Sequence, residues 1–466
     1  MTGGACLIFI ETLGCPKNQA DSRQIRGMLT ERGFMFSEEP REAEIIIVNT
    51  CGFIDAAKQE SIQKTLELSE FKKTGSCRLL IMFGCLTQKY GVELAGAMPE
   101  VDLFLGVFEW DMLTEYLDAY HSRGSRENAG SDPGEKVFAR EPRARDYRTK
   151  WAVAYPQNHT EYIKIAEGCP RRCAFCVIPE IRGGYRSRAR IEIIEEVSAR
   201  VASGLKEAVL VAQDTGYYGK DMKERDSLAG LVRELCGIKG LEWIRLMYCY
   251  PEEVDEALME AMNHPKVCPY LDIPVQHIDD GVLRRMGRTT SGADIKETID
   301  RLRKNVPDIA LRTTLMVGFP GESREAFSSL LDFIDEYHPE RAGFFAFSPQ
   351  PGTAAWRMSG QISGREKERR LSVALAKRDS ILAASQGKLV GKTIDVMVDK
   401  VDIDPEGAGE RSRRYEGRSV WDAPEIDGFV NFDSDREIAP GSVVRVRITH
   451  SDNYILTGEI NHEFGQ

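Results

Sequence analysis

Short apolar runs alternate with helical patterns over the first quarter of the chain. The four apolar runs cover residues 6–10, 44–49, 78–84 and 101–106. Between them, apolar residues recur at intervals of three and four over residues 19–32, 56–71 and 87–97. Strands that are apolar on both faces and separated by helices are typical of parallel sheets. The pattern therefore predicts a doubly wound parallel α/β domain over residues 1–121.

The same alternation resumes after residues 122–158, a segment rich in Ser, Gly, Pro and Arg that is predicted to be a linker. Six further strands are predicted at residues 162–166, 208–213, 243–248, 270–275, 310–317 and 342–347. Six consecutive β/α units predict a partial (β/α)6 barrel over residues 159–364. Such a barrel carries its chemistry at the carboxyl ends of its strands.

The last hundred residues differ in character. Residues 365–387 show a long, charged helical pattern that we expect to connect two domains. Residues 388–466 show short alternating segments at 393–398, 442–448 and 455–460, with turn residues between them. This pattern predicts a small all-β domain.

Composition narrows the class of protein. Of the 466 residues, 42% are hydrophobic and 29% are charged, and the net charge of −11 argues against bulk nucleic acid or an anionic membrane as the main partner. We expect a cytoplasmic protein, because no apolar run approaches the ~20 residues of a membrane helix and the N-terminus lacks the cationic start of a signal peptide. In a reducing compartment, the 11 cysteines indicate metal binding or catalysis rather than disulfides.

Three cysteines follow the first barrel strand in the spacing C-x3-C-x2-C, namely Cys169, Cys173 and Cys176. Thiolates are the ligands of iron–sulfur clusters, and three of them can hold three irons of a cubane while the fourth iron stays open to a small molecule. The alternatives are a zinc loop, for which the loop offers no fourth ligand, and reduced cysteines that only pack. The spacing favours a [4Fe–4S] cluster.

Three more cysteines are dispersed along the N-terminal domain. Cys15, Cys51 and Cys85 each come at or just beyond the end of a predicted strand and just before a helix. The carboxyl ends of parallel strands lie along one edge of a sheet, and helix N-termini favour thiolates there. We therefore expect a second three-ligand cluster with an open iron. The alternative is three buried cysteines that pack as small apolar residues.

The C-x3-C-x2-C loop, with Phe175 just before its last cysteine and a six-unit barrel around it, resembles the radical S-adenosylmethionine (SAM) enzymes. The resemblance implies that the open iron binds SAM, and that one electron from the cluster cleaves SAM to methionine and a 5′-deoxyadenosyl radical. It also implies that Phe175 contacts the adenine. The alternative for Phe175 is a loop residue that plugs the mouth of the barrel.

Three other residues are predicted to contact the cofactor. Gly318 begins a Gly-Phe-Pro-Gly-Glu segment that resembles a SAM-contacting loop of this family, and a plain strand-to-helix turn is the alternative. Gln213 and Gln276 end the second and fourth barrel strands, where barrels bind their ligands. A structural hydrogen bond is an equal alternative for both. No residue is assigned as a catalytic acid or base.

The whole arrangement resembles the methylthiotransferase family, in which a module with three dispersed cysteines precedes a radical SAM barrel and a β domain similar to a TRAM domain. The resemblance covers nearly the whole chain. It implies an enzyme that inserts sulfur and a methyl group at an unactivated C–H bond, with one SAM as methyl donor and another as radical source. It also implies two [4Fe–4S] clusters and an electron donor such as flavodoxin or ferredoxin.

Several segments resemble the branch of that family that adds the methylthio group to the β-carbon of an aspartate of ribosomal protein uS12. They are residues 13–18, 49–58, 163–169, 178–183 and 268–277. Residues 388–466 carry 10 Lys and Arg against 16 Asp and Glu, which suits a basic ribosomal protein better than tRNA phosphates. The alternatives are a tRNA adenosine methylthiotransferase and, from another class, a non-catalytic iron–sulfur or zinc scaffold.

Overall fold

The computed structural model describes residues 6–123, 136–141, 158–223, 226–402 and 413–460. The N-terminal domain is a six-stranded, all-parallel sheet in the order β2-β1-β3-β4-β5-β6. Its strands are β1 (Leu7–Thr12), β2 (Met35–Phe36), β3 (Ile45–Thr50), β4 (Leu79–Gly84), β5 (Leu103–Leu105) and β6 (Val137–Phe138). Its helices are α1 (Pro16–Glu31), α2 (Asp55–Ser69), α3 (Phe71–Thr74), α4 (Cys85–Ala97) and α5 (Trp110–Arg123).

Helices cover both faces of this sheet, as the apolar pattern predicts. Every residue of β3 and β4 is buried, because helices pack on either side of these central strands. Residues of α1 and α5 pack with one face of the sheet, and residues of α2 and α4 pack with the other. The domain is therefore doubly wound. One difference is that β6, which pairs with β5, lies within the segment expected to be a linker.

The central domain is a second six-stranded parallel sheet, in the order β14-β13-β12-β11-β10-β7, so it forms a partial barrel with β7 and β14 at its edges. Its strands, with a short β8–β9 pair, are β7 (Thr160–Lys164), β8 (Ala166–Glu167), β9 (Arg186–Ser187), β10 (Glu207–Val211), β11 (Trp243–Leu246), β12 (Val267–Asp272), β13 (Ala310–Val317) and β14 (Arg341–Ala346). Its helices are α6 (Ile178–Arg182), α7 (Arg190–Ala202), α8 (Leu228–Cys236), α9 (Glu256–Met262), α10 (Asp280–Arg285), α11 (Gly292–Asn305) and α12 (Arg324–Tyr337).

A 24-residue helix, α13 (Gly364–Gly387), leads to the C-terminal domain, as its charged helical pattern predicts. That domain is a closed five-stranded barrel in the order β15-β16-β17-β19-β18. Its strands are β15 (Thr393–Asp402), β16 (Arg413–Ser419), β17 (Phe429–Ser434), β18 (Val443–Asp452) and β19 (Ile455–Ile460). In the ranges that the structure describes, no helix is both long enough and apolar enough to cross a bilayer.

The small β-barrel packs into the concave face of the central sheet. Met397 and Ala423 share an apolar cluster with inward-facing strand residues such as Val209 and Tyr270. Ion pairs close the same interface. They are Arg341–Asp422 at 2.5 Å, Arg312–Asp427 at 3.6 Å, and Arg418–Glu207 at 2.7 Å. Asp422 and Asp427 are among the 16 acidic residues of residues 388–466. They thus pair with arginines of the central domain rather than face solvent.

Candidate active site

The structure brings Cys15, Cys51 and Cys85 together at the carboxyl edge of the N-terminal sheet. Cys15 is the residue before α1, Cys51 directly follows β3, and Cys85 begins α4. The sulfur atoms of Cys15 and Cys85 each lie 3.9 Å from Oδ1 of Asn18. Because β1, β3 and β4 are adjacent and parallel, three loops that are far apart in sequence meet at one point.

Two glycines allow these loops to touch. Gly14 has a φ of +98°, and a Cβ there would lie 2.7 Å from the Cβ and 3.2 Å from the sulfur of Cys51. A Cβ on Gly52 would lie 2.9 Å from the Cα of Leu86, which follows Cys85. Any larger side chain at either position would push the cysteines apart.

Positive charge and burial act together on the three thiols. The guanidinium of Arg182, which is fully buried, donates to the sulfur of Cys85 at 3.4 Å. Burial raises the pKa of Cys51 to about 12, with the charges of Cys15 and Cys85 adding to the effect. Burial also raises the pKa of Cys15, but Lys17 and Arg182 outweigh it, so that this pKa lies below its ordinary value. Such sites become thiolates when a metal supplies the missing positive charge.

A buried network of four charges joins this triad to the barrel. Lys164 on β7 pairs with Asp21 of α1 and, at 2.8 Å, with Glu167. Arg182, at the end of α6, lies 3.0 Å from both Asp21 and Glu167 and 3.2 Å from Asn18. Two cations and two anions thus compensate one another through direct contacts. Burial raises the pKa of Glu167, but Arg182 and Lys164 outweigh it and lower the pKa overall.

Sequence reasoning missed this network. The sequence places Arg182 in a segment that resembles the family and at the start of a basic run just beyond the cysteine loop, but its contact with the N-terminal cysteines depends on tertiary structure. One signal was available, since Lys164 and Glu167 interrupt an otherwise apolar strand. Charges in a buried strand are paired far more often than not.

The second triad lies on the loop after β8. The N–H of Cys176 donates to the carbonyl oxygen of Cys173 at 3.0 Å, and the N–H of Ile178 donates to the sulfur of Cys176 at 3.4 Å. Burial raises the pKa of Cys169 to about 12 and that of Cys176 above its ordinary value, and the charge of Cys173 adds to both. A hydrogen bond to a distant residue also fixes this loop, since the N–H of Ala174 donates to the carbonyl oxygen of Met286 at 2.8 Å.

Both triads fit an iron–sulfur cluster by the chemistry of their donors. Each supplies three buried or half-buried thiols, and at each a hydrogen-bond donor points at one sulfur. Among the described residues, no three His, Cys, Asp or Glu side chains are arranged to hold a single metal ion. The thiolates of an iron–sulfur cube each bind a different iron.

Two of the predicted cofactor contacts come together beside the second triad. The ring of Phe175 is buried and meets the ring of Phe319 edge-on, with 6.4 Å between centroids. Phe319 follows Gly318, which has a φ of +75°. The N–H of Gly318 donates to the carboxylate of Glu322. Phe175 thus lies in an apolar cluster against the Gly318 segment.

Gln276 lies near the same segment, whereas Gln213 lies farther along the sheet. Gln276 has a φ of +70°, and its Oε1 is buried with no hydrogen-bond partner among the described residues. The next residue, His277, places Nε2 3.7 Å from Oε1 of Glu322, which connects Gln276 to the Gly318 segment. Gln213 follows β10, two strands from β12, and is half-buried.

An acidic group beside the second triad was not predicted as a site residue. Arg171, between the first two cysteines of the loop, lies 3.1 Å from Asp214 and 2.6 Å from Glu252, and it also pairs with Glu253. Burial raises the pKa of Asp214 to about 7 in spite of Arg171, and the charge of Glu253 contributes. This arrangement fixes the cysteine loop to the strand that carries Gln213.

Comparison with known families agrees with this architecture. Residues 7–106 match the uncharacterized protein family UPF0004, residues 163–334 match the radical SAM superfamily, and residues 390–460 match the TRAM domain. The chain is 41% identical over 457 residues to the ribosomal protein uS12 methylthiotransferase RimO of Acetivibrio thermocellus, covering 98% of each chain. It is 42% identical over 455 residues to the protein of the same name from Geobacter sulfurreducens, covering 97% of this chain and 98% of the relative.

Solved structures show a similar fold at low sequence identity. The radical SAM methyltransferase TsrM from Kitasatospora setae has a TM-score of 0.55 at 15% identity, covering 75% of this chain and 74% of its own. The cobalamin-dependent SAM radical enzyme OxsB has a TM-score of 0.51 at 11% identity, covering 80% of this chain and 56% of its own.

The barrel, its cysteine loop and the match over residues 163–334 place the chain among the radical SAM enzymes. With the UPF0004 and TRAM domains on either side, the similarity extends over nearly the whole chain. The chain belongs to the methylthiotransferase family that includes the RimO proteins.

Proposed function

We propose that this enzyme adds a methylthio group to the β-carbon of an aspartate of ribosomal protein uS12. In this proposal, one SAM donates the methyl group and another is the source of a 5′-deoxyadenosyl radical. The relatives that carry the uS12 name are 38–42% identical and align with 97–98% of this chain. A modifier of a ribosomal protein works in the cytoplasm, which agrees with the location expected from the sequence.

In this proposal, each cysteine triad holds a different cluster with a different task. Cys169, Cys173 and Cys176 hold one [4Fe–4S] cluster, and Cys15, Cys51 and Cys85 hold the other. When bound, the first cluster supplies the electron that cleaves SAM, and the second carries the sulfur that is transferred. Both clusters must face a shared chamber between the N-terminal domain and the barrel for this chemistry to work.

The chain's own residues orient the reactants in that chamber. Phe175 packs against the segment that begins at Gly318, and we assign both residues, with Gln276, to SAM binding. The unpartnered Oε1 of Gln276 is suited to accept a hydrogen bond from a ligand, since a buried amide oxygen without a partner is costly. Gln213 belongs to the same proposal, on the weaker ground of its place after β10.

One observation carries the proposal: Arg182 of the radical SAM domain contacts Cys85 of the N-terminal domain. This contact supports a position of the second triad against the carboxyl side of the barrel, where the first triad also lies. A sulfur carried on one cluster and a radical made at the other can then act on the same carbon.

Mass spectrometry of uS12 and of tRNA from a deletion strain tests the substrate. We expect uS12 to lose the mass of one methylthio group while the thio-modified tRNA nucleosides stay intact. The reverse pattern would identify a tRNA adenosine methylthiotransferase instead. Bound zinc and no SAM cleavage by the reconstituted, reduced protein would indicate a scaffold.

An electron donor is required as a partner, and flavodoxin or ferredoxin has the suitable chemistry. Reconstituted enzyme with each purified donor in turn, and dithionite as the reference reductant, would identify it. We expect tRNA not to bind, because residues 388–466 carry 16 Asp and Glu against 10 Lys and Arg, a balance that does not favour tRNA phosphates.

A further inference from the structure

Lys17 is a buried cation that lies near Cys15 and Asp272 but forms no ion pair with either among the described residues. Its side chain lies in the first turn of α1 and is only 7% exposed. In the parts of the chain that the structure describes, its ammonium makes no hydrogen bond and no ion pair. It lies instead over the ring of Tyr248, 3.4 Å from the centroid. A ring face replaces only part of the hydration that a buried ammonium loses, so the site suits an anion.

Tyr248 marks the barrel side of the same place. It follows β11 at the carboxyl end of the strand, and its φ is +59°, a conformation that is rare for a bulky side chain. Strained backbone of this kind persists where a side chain must be held in a set position. Lys17 therefore lies between the N-terminal triad, two residues from Cys15, and the chamber side of the barrel.

A second unsatisfied group lies nearby. Asp272, the last residue of β12, is fully buried. Its Oδ1 accepts from Arg312 at 3.2 Å, whereas its Oδ2 has no partner within the described residues. A ligand at this place thus meets a buried ammonium and a carboxylate oxygen that have no hydrogen-bond partner among the described residues, which is the complement of a carboxylate with a neighbouring N–H donor.

An alternative role for Lys17 is to compensate the negative charge of a cluster bound at the N-terminal triad. However, Arg182 already donates to the sulfur of Cys85 and lies among the triad. No comparable hydrogen bond joins the ammonium of Lys17 to a cysteine sulfur in the described ranges. The charge of Lys17 helps to lower the pKa of Cys15, while its ammonium lies over the ring of Tyr248 and makes no direct contact with a cysteine sulfur in the described ranges.

We propose that Lys17 binds the side-chain carboxylate of the aspartate that is to be modified, and so selects an acidic substrate residue. This inference rests on the proposed function. The β-carbon is bonded directly to that carboxylate, so holding the carboxylate fixes the reacting carbon. Because Lys17 and Cys15 share the start of one helix, the anchored carbon lies next to the second triad. Asp272 accepts a hydrogen bond from the substrate backbone.

The test measures two enzymes, each with two substrates. The enzymes are the reconstituted wild type and the K17M variant, and the substrates are uS12 and a uS12 whose target aspartate is replaced by asparagine. Dissociation constants are measured without reductant, so that no turnover occurs, and kcat and KM are measured with it. The EPR signals of both clusters are recorded for each enzyme.

We expect the wild type to bind the aspartate form about 10- to 100-fold more tightly than the asparagine form, as for a hydrogen bond to a charged group. For K17M the two constants should be about equal, because only the aspartate form loses affinity. K17R keeps the charge and should keep the preference for aspartate. The control is K266M, since Lys266 donates to the carbonyl oxygen of Ile238 near the opposite end of β12, and it should behave like the wild type.

Two results would overturn the inference. The first is that K17M retains the wild-type preference for aspartate. The second is that K17M loses the EPR signal of the N-terminal cluster, in which case Lys17 serves the cluster. Failure of the proposed function is a different result, in which the wild type modifies neither form of uS12.

Discussion

The guanidinium of Arg182 lies 3.4 Å from the sulfur of Cys85, although the two residues belong to different domains. The same guanidinium reaches Asp21 of the N-terminal domain and Glu167 of the barrel, each at 3.0 Å. One side chain thus connects a predicted cluster ligand to the strand that leads into the other cysteine loop. The relative position of the two triads depends on this buried charge.

Replacing Arg182 by Met should destabilise the protein strongly. The change leaves the buried carboxylates of Asp21 and Glu167 with Lys164 as their one partner in the four-charge network, and an uncompensated buried charge costs about 3–5 kcal/mol. Urea unfolding should show that loss, and the iron content should fall because Cys85 loses its donor. The control is R233M, since Arg233 forms an exposed pair with Glu260 and its removal should change stability by less than about 0.5 kcal/mol. Equal stability of the two variants would contradict the role of Arg182.

Replacing Cys15, Cys51 and Cys85 together by Ala should separate two activities. The variant should lose about half of its iron and all methylthio transfer, because the sulfur-carrying cluster has no ligands. SAM cleavage should persist, since the other triad is intact. Iron analysis, 5′-deoxyadenosine formation and mass spectrometry of uS12 measure the three quantities. Sulfur transfer by the triple variant would show that the second cluster is held elsewhere.

Replacing Phe175 by Leu should distinguish its two roles. If the ring stacks on the adenine, KM for SAM should rise about tenfold, as expected for the loss of about 1–3 kcal/mol of base stacking. If the ring only fills the cluster around Phe319, stability should fall by less than about 1.5 kcal/mol with no change in KM. The matched control is F333L, because Phe333 is also a buried phenylalanine, lies on α12 and packs against Tyr337. We expect a KM effect for F175L alone.

The pH dependence of stability should reveal Asp427 at the interface with the small β-barrel. Burial raises its pKa, although Arg312 and Arg341 act against that shift. The folded state therefore holds a proton that the unfolded state releases above its ordinary pKa, so stability falls as pH rises between the two pKa values. D427N does not titrate, and its stability relative to the wild type should increase over that range and then level off. Urea midpoints from pH 4.5 to 8 measure this difference, and a relative decrease with pH would contradict it.

Local pattern determined most of the fold. The apolar runs at β3 and β4 predicted central parallel strands because both faces of these strands are covered, and the structure buries every residue in them. The spacing of Cys169, Cys173 and Cys176 is local, so one loop carries the whole triad. The convergence of Cys15, Cys51 and Cys85 followed from topology, since each one follows a parallel strand. Short elements were harder: β6 is two residues long and lies within the expected linker.

The sequence by itself determined the fold class and the family, and it predicted six cysteine ligands, because strand period, loop spacing and strand-end position are properties of neighbouring residues. Only the tertiary structure decided what the charged residues do. It paired Arg182 with Cys85, placed Lys17 over the ring of Tyr248, and placed Asp422 and Asp427 against the barrel rather than toward solvent. The physical reason is that the energy of a charge depends on its partners and burial, which residues distant in sequence supply.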